Sequence, residues 1–536
     1  MPPLSHRLAP PFSALLAGAS GALTVLGFAP FGWHPLVLVA LVGLLVSLQG
    51  ASPRSGFFRG WLFGVGLMGC GVFWIRISLN EFGNMDGWIA HLLTAVFVSA
   101  MALYFGLLGW LLRRLDLGPG WLVPLLLFPG LYILIEWLRG WLFTGFPWLS
   151  LGYTQIDGPL GAYAPIAGVY GVGLLVVLSA GLLWGLLRWS GPGRVAAGLG
   201  LALVWLAGLA LERVQWTQPS GPGLRAAVVQ ASIPQAVKWD PGVLVTTMEV
   251  YWELTEPHLD ADLVLWPETA IPGFLHEVRD ALVDPLAHRA RQEGAEVVMG
   301  IPVMEPESGR YFNALLSIGS REDLYAKRHL VPFGEFLPFK AWLGPLVQLF
   351  EVPMSDFSRG DAERPLLAVG ERLVGASICY EDAFPAEVAQ ALPDAELLIN
   401  VSNDAWFGDS LAPHQHLEIA RMRALENGRY LLRATNTGIS AIIDERGEVL
   451  GTVPSFVRGG FAAEVQPRAG ATPYSQLGNR LAIGAAAAMV LLALGIAAFG
   501  AARDRRSAGS SAARTVRPGA TIPSDSPARR GHEEDR

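Results

Sequence analysis

Apolar residues fall in long blocks along this chain, and the blocks set its plan. Stretches of spanning length occur at residues 12–31, 56–75, 88–112, 121–143, 166–187, 195–212 and 481–502, each near the ~20 residues that a helix needs to cross a bilayer. A shorter run at 35–49 is the borderline case. Residues 213–479 form one hydrophilic block between the last two apolar stretches.

Charge between the apolar stretches decides the borderline run, because Lys and Arg collect on the cytoplasmic side of short loops. With eight spans and a cytoplasmic start, the inside segments hold Arg7, Arg54, Arg59, Arg113, Arg114, Arg188, Arg194, Arg503, Arg505 and Arg506, against Arg76, Arg139, Arg213 and Arg480 outside. The 35–49 run therefore counts as a span. The expected organisation is a membrane domain over residues 1–212 with seven transmembrane helices, an extracytoplasmic domain over 213–479, an eighth helix over 480–502, and a cytoplasmic tail over 503–536. The first apolar stretch follows a basic residue, as a signal peptide would. Its removal would invert the charge pattern, so it reads as an anchor. The tail, rich in Ser, Arg, Pro and Gly, has too few apolar residues to build a core and is expected to be disordered.

Composition agrees with a membrane protein: 52% of residues are hydrophobic and 16% are charged, against the usual quarter or so of charged residues in globular domains. Residues 221–479 hold 20 Lys and Arg and 35 Asp and Glu, a net charge of −15 within a chain of −7. Such an acidic block repels phosphate backbones, which argues against a nucleic-acid partner. No Gly-rich phosphate loop and no paired-Cys zinc spacing occurs. Of the two cysteines, Cys70 lies within the third span and Cys379 in the outer block, so Cys379 is expected to be a free thiol.

Cys379 lies in Ser377-Ile-Cys-Tyr-Glu381, at the end of an apolar run that reads as a buried strand. Upstream, Leu265-Trp-Pro-Glu-Thr269 offers a carboxylate at Glu268. Tyr325-Ala-Lys-Arg-His-Leu-Val-Pro-Phe-Gly-Glu335 offers an ammonium at Lys327. A thiol with a reference pKa of about 8.5 needs a base before it can attack an acyl carbon, and Glu268 could supply it. The tetrahedral oxyanion that follows could be met by Lys327 and by the amide after Cys379; one such donor is worth roughly 3 to 4 kcal/mol. Lysine occurs only at Lys238, Lys327 and Lys340, which makes a compact ammonium an unusual choice in an arginine-rich chain. Singly, each residue has a plainer reading: a core thiol, a solvated strand-end carboxylate, a surface charge.

In register, the three segments resemble the nitrilase superfamily of carbon–nitrogen hydrolases over roughly residues 224–466, with Arg225-Ala-Ala-Val-Val-Gln230 as a first strand and Asn400-Val-Ser-Asn-Asp-Ala-Trp-Phe-Gly408 as a further block. That resemblance implies an α/β/β/α sandwich carrying a Glu-Lys-Cys triad at Glu268, Lys327 and Cys379. A nitrilase-like domain between the last two of eight spans is similar to the bacterial apolipoprotein N-acyltransferase family. Glu136-Trp-Leu-Arg-Gly-Trp-Leu-Phe-Thr-Gly-Phe-Pro-Trp148, His329-Leu-Val-Pro-Phe-Gly-Glu335 and Cys379-Tyr-Glu381 match its motifs. The fold class expected is thus a polytopic α-helical membrane domain of eight spans plus a nitrilase-like α/β domain.

That second resemblance implies acyl transfer in two halves at the bacterial inner membrane, with the catalytic domain on the periplasmic side. Cys379 takes an acyl chain from a phospholipid as a thioester, and the α-amino group of the diacylglyceryl-cysteine of an apolipoprotein then takes it as an amide. No cofactor is implied. Glu335 and Glu381 would be supporting carboxylates, and Tyr380 and Trp239 fall on positions resembling functional ones. The alternatives are a buried ion pair or an exposed charge for the glutamates, and packing for Trp239.

The apolar segment 342–350 follows Lys327 closely inside the acidic block. It is either an arm that dips into the membrane interface or a core helix of the sandwich. Glu136 and Arg139 stand three apart; they either pair on one helix face or present Arg139 to a lipid phosphate. Seven spans ahead of the domain would obstruct the sheet pairing of soluble nitrilases, so a monomer is expected. A membrane-anchored carbon–nitrogen hydrolase with the same triad, and a transporter or receptor with a degenerate outer domain, are the competing readings. A transporter would carry paired ionisable residues in mid-span, and these stretches hold almost none.

Overall fold

The computed structural model describes residues 9–83, 85–116, 118–337 and 356–515. Its first half is helical: α1 (Pro10–Thr24), α2 (His34–Leu48), α3 (Pro53–Gly71), α4 (Gly87–Arg114), α5 (Phe128–Arg139), α6 (Ala164–Arg188) and α7 (Gly191–Leu211). Helix α3 lies close against α4 because small residues repeat along both. A Cβ on Gly60 would come 2.1 Å from the Phe105 carbonyl oxygen, and one on Gly109 would come 2.1 Å from that of Gly56. Such approach of two backbones is how apolar helices pack where the surroundings are as apolar as they are.

Among the described residues five helical segments are long and apolar enough to cross a membrane: Pro10–Gly27, Gly87–Arg114, Pro159–Arg188, Gly191–Leu211 and Arg480–Arg503. Pro53–Gly71 and Ile75–Phe82 make a sixth candidate, bent by 60°. The other two expected spans are short. Helix α2 has 15 residues, about 22 Å at 1.5 Å each, and the 121–143 stretch yields a π-helical Val123–Leu127 leading into the 12-residue α5.

The hydrophilic block folds into two six-stranded sheets. The strands of these two sheets are β1 (Leu224–Gln230), β2 (Leu263–Leu265), β3 (Glu296–Met304), β4 (Tyr311–Ile318), β5 (Asp323–Ala326), β6 (Leu366–Val369), β7 (Arg372–Ile378), β8 (Leu397–Ser402), β9 (Leu431–Thr435), β10 (Ser440–Ile443), β11 (Val449–Val453) and β12 (Gly459–Val465). The first sheet runs β12-β1-β2-β3-β4-β5 and the second β11-β10-β9-β8-β7-β6. Strands β1, β2 and β3 are parallel, as are β7, β8 and β9.

Alternation along the strands explains the layering. Val298 of β3 faces the other sheet and packs with Val228, Leu265, Ala376, Ile378, Ile399 and Val401. Its neighbours Val297 and Met299 face outward onto α8 (Leu244–Thr255) and α9 (Asp284–Glu293), meeting Tyr251 and Leu286. The second sheet covers its outer face with α10 (Ala412–Asn427) through Ala420 and Ala424. The result is an α/β/β/α sandwich. The opposite side of α10 packs through Ile419 and Met422 into the helical half, so one helix belongs to both cores.

Helix α11 (Arg480–Thr515) closes the described chain. This helix runs past residue 503 into the stretch that the sequence assigns to the tail. Residues 516–536 and the apolar segment 342–350 lie outside the described residues.

Candidate active site

Glu268 follows β2 on a turn set by the neighbouring strand. Trp266 N donates to the Val298 carbonyl, Ala270 N to that of Gly300 and Gly300 N to that of Pro267, at 2.8, 2.8 and 3.1 Å. A Cβ on Gly300 would fall 2.3 Å from the Pro267 oxygen and 2.6 Å from Glu268 Cα, so only glycine lets the turn lie on β3. Glu268 Oε1 accepts from Asn313 Nδ2 at 2.6 Å and from Lys327 Nζ at 3.4 Å, while Oε2 accepts from the main-chain N–H of Asn403 at 2.8 Å. The second sheet thereby helps to aim a carboxylate carried by the first.

Lys327 stands just beyond β5 and is fully buried. Its Nζ donates to Glu335 Oε1 at 2.8 Å. Glu335 is held in turn by Asn313 Nδ2 at 3.2 Å and Val331 N at 2.8 Å. Burial alone would lower the Lys327 pKa, but Glu335, Glu268 and the Cys379 sulfur outweigh it and hold the ammonium above its ordinary value. Lys238, also buried, donates from Nζ to the Glu268 carbonyl oxygen at 3.4 Å, and burial lowers it to about 8 despite the Glu268 charge.

Cys379 directly follows β7, at φ +53°, and opens the tight turn Cys379–Ala383. A left-handed backbone at a residue with a side chain stores about 1–3 kcal/mol and persists only where its surroundings impose it. Burial, and next the Glu268 charge, push the thiol pKa well up, while Lys327 and a hydrogen bond with Ser402 pull it down. The Glu268 and Lys327 charges thus act on the sulfur in opposite senses, and burial leaves the thiol pKa above its ordinary value.

Glu381 gathers the donors that join the Lys327 loop to this elbow. It accepts from Arg328 N at 2.6 Å, His329 N at 3.0 Å, Ile378 N at 2.7 Å and Tyr325 Oη at 3.0 Å. Burial raises its pKa, and the bonds from His329, Ile378 and Arg328 oppose that. Glu335 thus touches the Lys327 ammonium directly, whereas Glu381 acts on the backbone just after Lys327 and just before Cys379.

Tyr380 faces the helical half. Its Oη donates to the Gly145 carbonyl at 3.0 Å, and its ring stacks 6.5 Å from that of Trp148. Trp239 lies one residue past Lys238 and is 52% exposed, at the rim rather than among the buried groups. Glu136 and Arg139 pair at 3.9 Å. Arg139, 1% exposed, donates to the carbonyls of Phe146 and Trp148 at 2.6 and 2.5 Å. Arg139 therefore braces the loop under Tyr380 and does not face lipid. The sequence reading missed Asn313, Asn403 and Lys238. Only the Asn400–Gly408 motif and the scarcity of lysine pointed towards two of them.

Residues 20–182 match the family described as apolipoprotein N-acyltransferase N-terminal domain, and residues 225–474 match that described as carbon-nitrogen hydrolase. The chain is 44% identical over 506 residues to the apolipoprotein N-acyltransferase of Methylococcus capsulatus, covering 94% of this chain and 99% of that one. It is 42% identical over 495 residues to the protein of the same name from Nitrosomonas europaea, covering 92% and 99%. It is 39% identical over 490 residues to that of Pseudomonas aeruginosa, covering 90% and 95%.

Proposed function

The chain belongs to the apolipoprotein N-acyltransferase family, and from that premise we propose that it moves an acyl chain from a phospholipid, through a thioester on Cys379, to the α-amino group of a diacylated apolipoprotein. Glu268 takes the thiol proton as the sulfur attacks the ester carbonyl. The ester C–O bond then breaks, and the proton passes to the departing lysophospholipid oxygen. In the second half the amine attacks the thioester carbonyl and gives its proton to Glu268; the C–S bond then breaks, the proton passes to the sulfur, and the amide is released. Lys327 and the Tyr380 N–H meet the oxyanion in both halves. Glu335 keeps Lys327 charged and in place, and Glu381 holds the elbow.

The observation that carries this reading is the contact between Tyr380 and Gly145. It sets the residue next to the nucleophile against the loop that ends an apolar helix, where an acyl chain can be delivered without full exposure to water. Each CH₂ withdrawn from lipid into water costs about 0.8 kcal/mol, so a thiol at the membrane margin suits an acyl donor. In this proposal the eight apolar helical segments all span the inner membrane, and the sandwich lies on its periplasmic side. The protein works as a monomer.

Purified protein mixed with acyl-labelled phospholipid tests the reading. It predicts label on the protein alone, and transfer to amide only when a diacylated lipopeptide is added. Release of free acid without lipopeptide would favour the membrane-anchored hydrolase.

A further inference from the structure

Behind the Cys379 elbow lies a cluster of four charged side chains, all within 1% of complete burial, that the proposed reaction does not use. His416 of α10 stands at its centre. Its Nδ1 is 2.9 Å from Asp404 Oδ1 and its Nε2 is 3.0 Å from Asp382 Oδ1. Arg433 of β9 reaches the outer oxygens of both carboxylates, at 2.9 Å for Asp404 and 3.5 Å for Asp382. Two cations and two anions close a neutral ring.

An imidazole between two carboxylates donates from both nitrogens, which requires the cation. Burial and Arg433 work against that charge, but Asp382 and Asp404 outweigh them and raise His416 to about 9. The same cations hold Asp404 below the usual carboxylate range against the effect of burial. Ser402 Oγ donates to Asp404 Oδ1 at 2.7 Å, and the rings of Trp148 and Phe407 lie 5.5 and 6.4 Å from that of His416 between centroids. Arg423, further along α10, also senses Asp382.

The ring points at one atom of the proposed site. Nε2 of His416 lies 3.4 Å from the Cys379 carbonyl oxygen, and Nδ2 of Asn400 approaches the same oxygen at 3.4 Å. Asn400 is itself oriented by Ser377 Oγ at 3.0 Å and by Arg433. A buried ion cluster of this kind seldom stabilises more than apolar packing of the same volume, and its value lies in direction. A carbonyl fixed by two donors fixes the peptide plane after Cys379, and with it a left-handed backbone that the residue would not keep alone.

We propose that His416 is a positioning residue for the thiol: the Asp382–His416–Asp404–Arg433 ring, with Asn400, clamps the Cys379 carbonyl and so aims the sulfur at the acyl carbon. The inference rests on Cys379 being the residue that is acylated. It makes His416 act through Cys379 without touching either substrate.

The test uses full-length protein in detergent with acyl-labelled phospholipid, with the thioester mapped by mass spectrometry of peptides. His416→Gln is expected to slow thioester formation on the order of 10- to 100-fold, the usual effect of a reacting group misplaced by about an ångström, while half-saturation by phospholipid changes less than about twofold. Asp382→Asn removes one charge that keeps His416 protonated. The acylation rate should then fall at the alkaline end from a lower pH than in the unaltered protein, a shift that a purely structural role would not produce. If His416→Gln does not fold, the Asp382→Asn profile decides. A folded His416→Gln protein acylated on Cys379 at the unaltered rate, or an Asp382→Asn profile that does not move, overturns the inference. Label mapped away from Cys379 in the unaltered protein overturns the proposed function as well.

Discussion

Lys327 Nζ lies 2.8 Å from Glu335 Oε1 in an ion pair that spans eight residues of a single loop. The ammonium is fully buried and Glu335 is 12% exposed, and the Glu335 charge is the largest influence that keeps the buried lysine protonated. Glu335→Gln keeps the shape and a hydrogen-bond acceptor but removes the charge. Thioester formation should slow roughly 10- to 100-fold, about 1.4 to 2.7 kcal/mol in the barrier, in a single-turnover assay. A change under twofold would remove Glu335 from the proposed site.

Glu268 and the Cys379 thiol should respond in opposite senses to Glu268→Gln. The Glu268 charge raises the thiol pKa, so its loss lowers that pKa, and alkylation by iodoacetamide should reach half-rate at a lower pH than in the unaltered protein. Acyl transfer from phospholipid should meanwhile fall at least about 100-fold, since the proton acceptor is gone. Alkylation and acyl transfer falling together would argue that Glu268 only supports the fold.

Gly300 carries no chemistry, yet Gly300→Ala should act at the site. The added methyl would meet the Pro267 oxygen at 2.3 Å and Glu268 Cα at 2.6 Å, and backbone at that distance has to move. A displacement of about 1 Å in a catalytic carboxylate can cost on the order of 100-fold in rate. Activity should fall with the thermal midpoint lowered as well, while Gly120→Ala, where an added Cβ meets nothing within 4 Å, serves as a control.

Arg139→Ala should destabilise rather than inactivate selectively. It leaves the Phe146 and Trp148 carbonyls without their donor and Glu136 as a buried charge without its partner, a type of loss worth about 3–5 kcal/mol. Thermal unfolding in detergent should show a clearly lower midpoint. An unchanged midpoint with lost phospholipid binding would restore the reading in which Arg139 holds a lipid phosphate.

The sequence made the plan of this protein legible where composition and motif coincide. Spanning stretches announce themselves by length, and Cys379, Glu268 and Lys327 each sit at an apolar run that the structure ends as a strand. The contacts of Asn313 and Asn403 with Glu268 were not legible, because they arise from pairing across strands and sheets: Asn313 lies 45 residues from Glu268 and Asn403 lies 135. His416 had no signature either, since its partners come from three separate segments. Helix ends were poorly readable for a different reason. Apolar content fixes where a helix can be buried in lipid, but where the 12-residue α5 begins and ends depends on local propensity and packing.

The most direct measurement is the mass of the protein after incubation with a phospholipid of known acyl chain and no acceptor. The proposed chemistry requires one added acyl group, sensitive to hydroxylamine and mapped to the peptide holding Cys379, and none in Cys379→Ala. An acyl group on any other residue, or equal labelling of the Cys379→Ala protein, would contradict it.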